Sequence, residues 1–315
     1  MLPIAVDAMG GDHAPSAIVD GAVAAVRRLG VVVSLVGATR AIERALDPHP
    51  GWREAGINIV DAPDVIDMAE TAAAVRRKPR ASISVATDLV ARGGANALFS
   101  AGHTGATVMA THAAFGMIAG VDRPALATTI PTRGGSAVLL DAGASVECRP
   151  QHLLQFAIMG AVYARVALGA ERPRIGLLSI GEEETKGNDL TREAHRLLKA
   201  SSLNFIGNVE GREIYSGVAD VIVCDGFTGN VVLKTSEGLV EALEAKLGEK
   251  VSSLFDYAEY GGAPLVGVGA LAVVAHGRSS PKAVSNGIAM AHRFAAGNFI
   301  QRVEQEIASA GVAHR

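Results

Sequence analysis

Short apolar runs alternate along the chain with longer segments in which apolar residues recur at a helical spacing. The short runs predict strands at residues 4–6, 31–36, 57–60, 97–99, 126–130, 137–140, 175–180, 204–206, 221–224 and 271–274. The longer segments predict helices at residues 16–29, 82–92, 104–118, 150–168, 189–199, 237–255 and from 281 to near the C-terminus. This alternation indicates β-α-β units, so we predict an α/β fold with a mainly parallel sheet and helices on both faces.

The residues that follow five of the predicted strands are rich in glycine and in small polar or acidic residues. These strand exits read Asp7-Ala8-Met9-Gly10-Gly11-Asp12, Ser100-Ala101-Gly102-His103-Thr104-Gly105, Asp141-Ala142-Gly143, Gly181-Glu182-Glu183-Glu184-Thr185-Lys186-Gly187-Asn188 and Asp225-Gly226-Phe227-Thr228-Gly229-Asn230. The carboxyl ends of parallel strands line one crevice, and glycine lets a backbone approach a ligand there. Taken together the exits favour a ligand crevice, although any one of them alone is typical of an ordinary turn or cap.

Three charged or titratable residues in these exits are candidates for chemistry. Lys186 lies at a helix entrance, where a cation opposes the helix dipole unless an anion also occupies the site, and this favours a functional role. His103 precedes a helix between two glycines, and structural and functional roles are equally open for it. Of the acids at 182–184 we interpret two as helix caps and keep Glu182 as a possible site residue.

Composition narrows the class of protein. Of 315 residues 49% are hydrophobic and only 4% aromatic, 36 are glycine, and the formal net charge is −3. An aliphatic, nearly neutral chain of this kind is neither disordered nor a nucleic-acid-coating protein. The two cysteines, Cys148 and Cys224, form no C-x-x-C pair, which argues against a disulfide scaffold or a zinc ribbon and fits a reducing cytoplasm. Cys224 could hold an acyl group as a thioester. It ends an apolar run, however, and this favours the role of a small buried side chain.

Several enzyme motifs are missing from the sequence. There is no G-x-x-x-x-G-K-[ST], no G-x-S-x-G and no H-E-x-x-H. The match to G-x-G-x-x-[GA] at 267–272 precedes a predicted strand, the wrong context for a dinucleotide site. The N-terminus lacks the basic region of a signal peptide, and the uncharged run 261–275 is shorter than the about 20 residues that span a bilayer. We therefore expect neither a signal peptide nor a membrane span.

Four of these exits and two further motifs resemble the bacterial phosphate acyltransferase family, the acyl-ACP:phosphate acyltransferases. The matching segments are 7–15, 100–106, 181–187, 208–212, 224–230 and 260–265, and they follow the family's order from residue 5 to about residue 290. The resemblance implies a Rossmann-like three-layer αβα domain, similar to phosphotransacetylases and to the isocitrate and isopropylmalate dehydrogenases. It implies a single domain over residues 1–315, within which this chain has a short amphipathic helical segment at 237–257.

The same resemblance implies the reaction. The family transfers a long-chain fatty acyl group from acyl carrier protein to inorganic phosphate and so makes acyl phosphate for phosphatidic acid and phospholipid synthesis. It implies a homodimer in the cytoplasm, peripherally associated with the inner face of the cell membrane, without metal, cofactor or nucleic acid, upstream of a membrane acyltransferase.

The site residues follow from the matched motifs. We expect Lys186 to neutralise phosphate or an oxyanion, while Asn230 and His103 donate hydrogen bonds. The expected substrate-binding residues are Asp7, Gly10, Gly11, Gly102, Thr104, Gly105, Asp141, Gly181, Glu182, Asp225, Gly226 and Gly229. His103, Ser145 and Ser179 stand where the family more often has Asn.

An acidic carrier protein requires a local basic patch on a chain of net charge −3. The densest basic run is Arg76-Arg77-Lys78-Pro79-Arg80, and Arg192, Arg196 and Lys199 share one face of a predicted helix. Docking and simple solvation both stay open for these residues.

The segment 237–257 is shorter than the amphipathic hairpin that many family members use for membrane contact. Leu239, Leu243, Leu247 and Val251 recur every four residues there, and Glu241, Glu244, Lys246, Glu249 and Lys250 sum to −1. We therefore predict weak intrinsic membrane binding, with the apolar stripe serving the dimer or the acyl chain.

Three rival functions remain at this point. They are a phosphotransacylase that uses acyl-CoA, a hydroxy-acid dehydrogenase on the related sheet, and a non-catalytic ligand-binding module.

Overall fold

The structure is a computed structural model that describes residues 2–248 and 257–310. The chain forms two compact units, one of Met1–Gly116 with Tyr257–Gly297 and the other of Met117–Asp256 with Asn298–Arg315. The single domain expected over residues 1–315 stays a prediction.

The strands, in chain order, are β1 (Ile4–Asp7), β2 (Val33–Gly37), β3 (Ile57–Asp61), β4 (Ala97–Ser100), β5 (Ala125–Thr132), β6 (Gly135–Leu140), β7 (Ile175–Ser179), β8 (Phe205–Glu210), β9 (Val221–Val223), β10 (Ala263–Val266) and β11 (Leu271–Val274). The helices are α1 (Ser16–Leu29), α2 (Thr39–Leu46), α3 (Ser82–Ala91), α4 (Thr104–Phe115), α5 (Pro150–Tyr163), α6 (Asp189–Ala200), α7 (Gly226–Leu247), α8 (Tyr257–Tyr260), α9 (Pro281–Ala296) and α10 (Phe299–Ser309). Short 3-10 turns lie at Ala72–Arg76 and Gly211–Glu213, and a π-turn at Ala164–Leu168 follows α5.

The first unit is built around a sheet with the strand order β3-β2-β1-β4-β11-β10. All neighbours are parallel except β10 and β11. Every residue of β1 is buried, as expected for a central parallel strand covered on both faces. Helices α1 and α9 pack closely because α1 carries Gly21, where a Cβ would lie 2.6 Å from the carbonyl oxygen of Pro281.

The second unit has the strand order β5-β6-β9-β7-β8, with an antiparallel β5-β6 hairpin and parallel pairs elsewhere. Nearly all of α5 is buried, and this helix packs against α6 and α10. An aliphatic cluster that includes Leu139, Leu178, Val209 and Ile222 forms part of the core. The exits of β6, β7 and β9 carry the predicted site residues of this unit.

The predicted mainly parallel α/β fold is confirmed, and several element boundaries differ. Helix α2 and strand β10 were not predicted, and the C-terminal helix is divided into α9 and α10 near Asn298, whose φ is +50°. The helix predicted from residue 237 begins at Gly226, because the side chain of Asp225 caps it there. The last part of that prediction, with Val251, Glu249 and Lys250, lies outside the described residues.

Among the helices of residues 2–248 and 257–310, none is long and apolar enough to cross a membrane.

Candidate active site

A buried aspartate ends β1 in the first unit. Parallel pairing of β1 with β4 places the exit of one strand beside that of the other, and Ser100 Oγ donates a hydrogen bond to Asp7 Oδ2 at 2.8 Å. Burial raises the pKa of Asp7 above its ordinary value, while hydrogen bonds from Ser82 and Ser100 act in the opposite direction. The carboxyl group is therefore a fixed acceptor beneath the exit loops.

Glycine is required where these two exits meet. A Cβ on Gly10 would lie 2.6 Å from Asp7 Oδ2 and 2.8 Å from the backbone nitrogen of Gly102. Gly11 has a φ of +113°, which side-chain-bearing residues rarely adopt. A narrow cleft lies here, lined by Asp7, Gly10, Ser82, Gly102 and His103 among others.

His103 is the N-cap of α4. The backbone N–H of Ala106 donates to His103 Nδ1 at 3.1 Å, so the neutral ring carries its hydrogen on Nε2, which is left to act as a donor. Thr104 is exposed in the first turn. A Cβ on Gly105 would lie 3.2 Å from Ala72 Cβ, so the 3-10 turn Ala72–Arg76 packs against the start of α4.

Asp141 organises the exit of β6 in the second unit. Its Oδ1 accepts the N–H groups of Leu126, Gly143 and Ala144 at 2.8, 3.0 and 2.9 Å, and its Oδ2 accepts that of Ser145 at 2.7 Å. Burial raises the pKa of Asp141, and these backbone hydrogen bonds act against the rise. This carboxylate therefore shapes the loop from its interior.

The start of α7 packs on that loop. Asp225 caps the helix, with Oδ1 accepting the N–H of Thr228 at 2.9 Å and Oδ2 accepting its hydroxyl at 2.8 Å. A Cβ on Gly226 would lie 2.7 Å from Asp141 Oδ2, and one on Gly229 would overlap the carbonyl oxygen of Asp141. Asn230, in the first turns of α7, lies beside Gly143. The structure thus brings the predicted residues of the β6 and β9 exits into one cluster.

The exit of β7 carries Lys186. Its side chain is exposed, and its ammonium group makes no ion pair within the described part of the chain. An open pocket of about 160 Å³ lies close by, at the start of α6 and α7. Its lining is Leu153, Leu178, Ser179, Ile180, Gly187, Asn188, Thr191, Cys224, Asp225 and Thr228. Among the described residues the Ser179 hydroxyl is a buried polar group without a hydrogen-bond partner.

The acids of this exit do not cap α6. Asn188 Oδ1 accepts the N–H of Thr191 at 2.9 Å and is the N-cap. Glu184 pairs with Lys199, and Glu182 Oε1 lies 3.4 Å from a guanidinium nitrogen of Arg212. The interpretation of two of the three acids as caps is therefore wrong, because a neutral amide at the boundary already satisfies the free N–H group.

Neither cysteine has the environment of a nucleophile. Cys224 is buried, and burial raises the pKa of its thiol well above the ordinary value. Burial and the nearby carboxylates of Asp141 and Asp225 raise the pKa of Cys148 to about 12. Both groups are neutral thiols near neutral pH, which agrees with the predicted packing role of Cys224.

The candidate docking residues differ in how they are engaged. Arg76 and Arg77 are exposed, whereas Lys78 is half-buried and its Nζ lies 2.7 Å from Glu70 Oε2. Each cation on α6 pairs with an acid: Arg192 with Asp189, Arg196 with Glu193 and Lys199 with Glu184.

Sequence reasoning missed several polar residues around these exits. Ser100 and Ser82 form hydrogen bonds with the Asp7 carboxyl group. The Thr228 hydroxyl donates to Asp225, and the Asn208 amide donates to the Gly181 carbonyl oxygen at the exit of β7. Ser100, Thr228 and Asn208 stand inside the matched motifs, which is the signal that could have singled them out.

Solved structures of other proteins share this fold. A phosphotransacetylase from Streptococcus pyogenes superposes with a TM-score of 0.65 and 18% identity over 94% of each chain. A putative 4-hydroxythreonine-4-phosphate dehydrogenase from Salmonella typhimurium superposes with a TM-score of 0.57 and 17% identity over 93% of this chain and 99% of that one. The fold is the α/β fold that phosphotransacetylases share with this group of dehydrogenases.

Sequence comparison then gives the family. A family model described as "Fatty acid synthesis protein" matches residues 2–302. The phosphate acyltransferase of Desulfitobacterium hafniense (strain DSM 10664 / DCB-2) is 47% identical over 326 residues, covering 96% of this chain and 97% of that protein. That of Geobacter sulfurreducens is 47% identical over 325 residues, covering 96% and 94%. The chain belongs to the phosphate acyltransferase family of fatty acid and phospholipid synthesis, and it is an acyltransferase.

Proposed function

We propose that this acyltransferase moves a long-chain fatty acyl group from acyl carrier protein to inorganic phosphate and releases acyl phosphate for phosphatidic acid synthesis. The observation that carries the proposal is Lys186: in a member of this family, an exposed cation with no ion pair among the described residues lies near a pocket whose lining includes three hydroxyl groups. A cation in this position can stabilise a bound phosphate or a developing oxyanion by its charge.

The reaction needs little acid–base help. A phosphate oxygen attacks the carbonyl carbon of the thioester, the C–S bond breaks, and the carrier's thiol leaves as a thiolate that takes a proton from solvent. A thiol with a pKa of about 8.5 is a good leaving group. The enzyme's contribution is then to position phosphate against the thioester and to supply donors for the oxyanion.

The proposed roles follow from the exits. Lys186 offsets the charge of phosphate or of the oxyanion. Asn230, in the first turns of α7, donates through its amide, and His103 offers a donor through Nε2. Asp7 and Asp141 orient the exit loops, because Asp7 accepts from the Ser100 hydroxyl and the Met9 N–H, and Asp141 accepts from backbone N–H groups.

We propose that glycine-rich strand exits of each unit contact the substrate. Gly10, Gly11 and Gly102 line the exits of the first unit, while Gly226 and Gly229 line that of β9 in the second. Gly181 sits at the exit of β7, where a Cβ would lie 2.8 Å from Lys186 Cγ. In this proposal the exit loops bind phosphate or the thioester, and their glycines allow the close packing on Asp7, Asp141 and Lys186 that shapes the loops. Thr104, Gly105 and Glu182 are further proposed substrate contacts.

We place carrier-protein docking at Arg76 and Arg77, because their guanidinium groups are exposed on a turn that packs against the start of α4. Arg192 and Arg196 are weaker candidates, since each is bound to a neighbouring acid. The double variant Arg76→Glu/Arg77→Glu is expected to raise KM for acyl carrier protein about tenfold at low salt, with kcat little changed. The variant Arg192→Glu/Arg196→Glu serves as the matched comparison. An equal rise in both variants would remove the preference for the turn.

The same proposal includes assembly and location. Helix α7 exposes Phe227, Val231, Leu239, Leu243 and Leu247, each 39–61% accessible. We propose that this stripe forms part of a homodimer interface, and that the dimer works in the cytoplasm, held only loosely at the inner face of the membrane, where a membrane acyltransferase would use its product.

The donor is identified by trapping the product. Purified protein is incubated with phosphate and, in separate reactions, long-chain acyl carrier protein, long-chain acyl-CoA or acetyl-CoA, and acyl phosphate is converted to a hydroxamate with hydroxylamine. Hydroxamate is expected with the long-chain carrier protein at the highest kcat/KM. A preference for either CoA ester would replace this proposal with an acyl-CoA phosphotransacylase.

A further inference from the structure

Asn208 reaches across the end of the second sheet to the loop that carries Lys186. It lies on β8, in parallel register with Leu177 of β7. Its Nδ2 donates to the carbonyl oxygen of Gly181 at 3.1 Å and to that of Glu183 at 2.9 Å. One side chain therefore uses both of its amide hydrogens on a single exposed loop.

The amide itself is held from behind by His195. With both Nδ2 hydrogens engaged, Asn208 Oδ1 faces His195 Nδ1 at a distance of 2.9 Å. The imidazole must then donate from Nδ1, which fixes its tautomer when neutral. His195 is buried, and its ring packs edge-on against Phe205 with 5.0 Å between centroids. Neither ring nor amide can turn without breaking this set of contacts.

The carbonyl oxygen of Glu183 links this support to Lys186. It accepts from Asn208 and also from the backbone N–H of Lys186, at 3.0 Å. Asn208 is thus separated from the Lys186 backbone by one shared acceptor. On the outer side of the loop, Glu184 pairs with Lys199. Residues 182–186 are all exposed, and the loop 181–186 contains no apolar side chain that could anchor it.

We propose that Asn208, held by His195, is a positioning residue that fixes the backbone of residues 181–186 and so sets where the Lys186 ammonium meets phosphate. This inference rests on the role proposed above for Lys186. Asn208 touches no reacting group and acts only through the loop. A displacement of about 1 Å at such a site can lower turnover about 10²-fold.

The variant Asn208→Asp tests the contact with little change of volume. It keeps an acceptor for His195 but turns two carbonyl–amide hydrogen bonds into two carbonyl–carboxylate repulsions. We expect kcat to fall about 10²-fold, with KM for the acyl donor changed less than about threefold. The control is Asn204→Asp, which removes one amide bond to the carbonyl of Arg172 just before the same strand begins, and we expect its kcat to stay within about twofold of the parent.

A double-mutant cycle with Lys186→Ala separates positioning from general damage. If Asn208 acts through Lys186, Asn208→Asp lowers kcat less than about threefold in the Lys186→Ala background. A full loss in both backgrounds would overturn the positioning role while leaving that of Lys186 intact. An unchanged kcat in Lys186→Ala alone would instead remove the catalytic assignment, and the positioning role with it.

Amide hydrogen exchange gives a readout that does not depend on activity. Asn208→Asp should speed exchange in residues 181–187 and leave Leu177 and Leu178 of β7 protected as in the parent protein. Acceleration spread evenly over β7 and β8 would show that Asn208 only stabilises the sheet, and would overturn the proposal.

Discussion

At the scale of single residues, two buried aspartates give the exits their shape. Asp7 ends β1 and accepts from Ser100, and Asp141 follows β6 and accepts four backbone N–H groups. Burying a carboxylate costs free energy unless hydrogen bonds offset it. Each carboxylate here is surrounded by donors, and glycine at Gly10 and Gly226 makes the room that this requires.

Gly10→Ala is expected to destabilise the protein. The added Cβ would lie 2.6 Å from Asp7 Oδ2, and the backbone nitrogen of Gly102 blocks its escape at 2.8 Å. Overpacking of this kind costs about 1–3 kcal/mol of unfolding free energy, measurable by urea denaturation. Gly134→Ala is the control, because nothing lies within 4 Å of its added Cβ. Equal stability of the two variants would show that the exits are looser than described.

Cys148 is expected to resist alkylation in the folded protein. Raising its pKa from 9.0 to about 12 lowers the thiolate fraction near neutral pH about 10³-fold. Iodoacetamide at about pH 8 should therefore label the urea-unfolded chain and spare the native one, as read by mass spectrometry. Rapid native labelling that also stops turnover would instead point to an acyl-enzyme route.

At the scale of elements, the helical and strand periods predicted most of the sheet but not the start of α7. Its first residues include glycine and β-branched Thr228, Val231 and Val232, which disfavour helix. Gly226 and Gly229 are there because Asp141 lies against them, a contact that no local pattern contains. Strand β10 was not predicted because it contains Pro264, and proline within a short apolar run argues against a strand.

The candidate site was predictable to a similar depth. The strand exits are recognisable in the sequence by their glycine and small polar or acidic residues, so Asp7, Lys186 and Asp225 could be singled out from the sequence. The support given by Asn208 depends on the register of β7 against β8, which sequence spacing does not contain.

The apolar stripe on α7 is expected to be buried in the interface of a homodimer. Leu239→Gln/Leu243→Gln should shift the mass measured by light scattering from dimer toward monomer, because exposed leucines favour association. Leu29→Gln, at the equally exposed end of α1, should leave the mass unchanged. The parent protein should sediment only weakly with anionic vesicles. Strong sedimentation that the double variant abolishes would assign the stripe to the membrane instead.

At the scale of the whole molecule, charge is arranged locally rather than in bulk. A net charge of −3 gives no general attraction for an acidic carrier protein. Most cations on α6 are matched by acids, while Arg76, Arg77 and Lys186 stay exposed. We therefore propose that carrier recognition and phosphate binding depend on these few accessible cations.

The central claim is that acyl transfer to phosphate depends on Lys186, and the rate of acyl phosphate formation in Lys186→Ala tests it most directly. With saturating long-chain acyl carrier protein and phosphate, kcat should fall about 10²-fold or more, since one charge that stabilises the transition state is lost. Lys282→Ala, which removes an exposed cation paired with Glu259, should retain the parent rate. Equal turnover in the parent and in both variants would contradict the account.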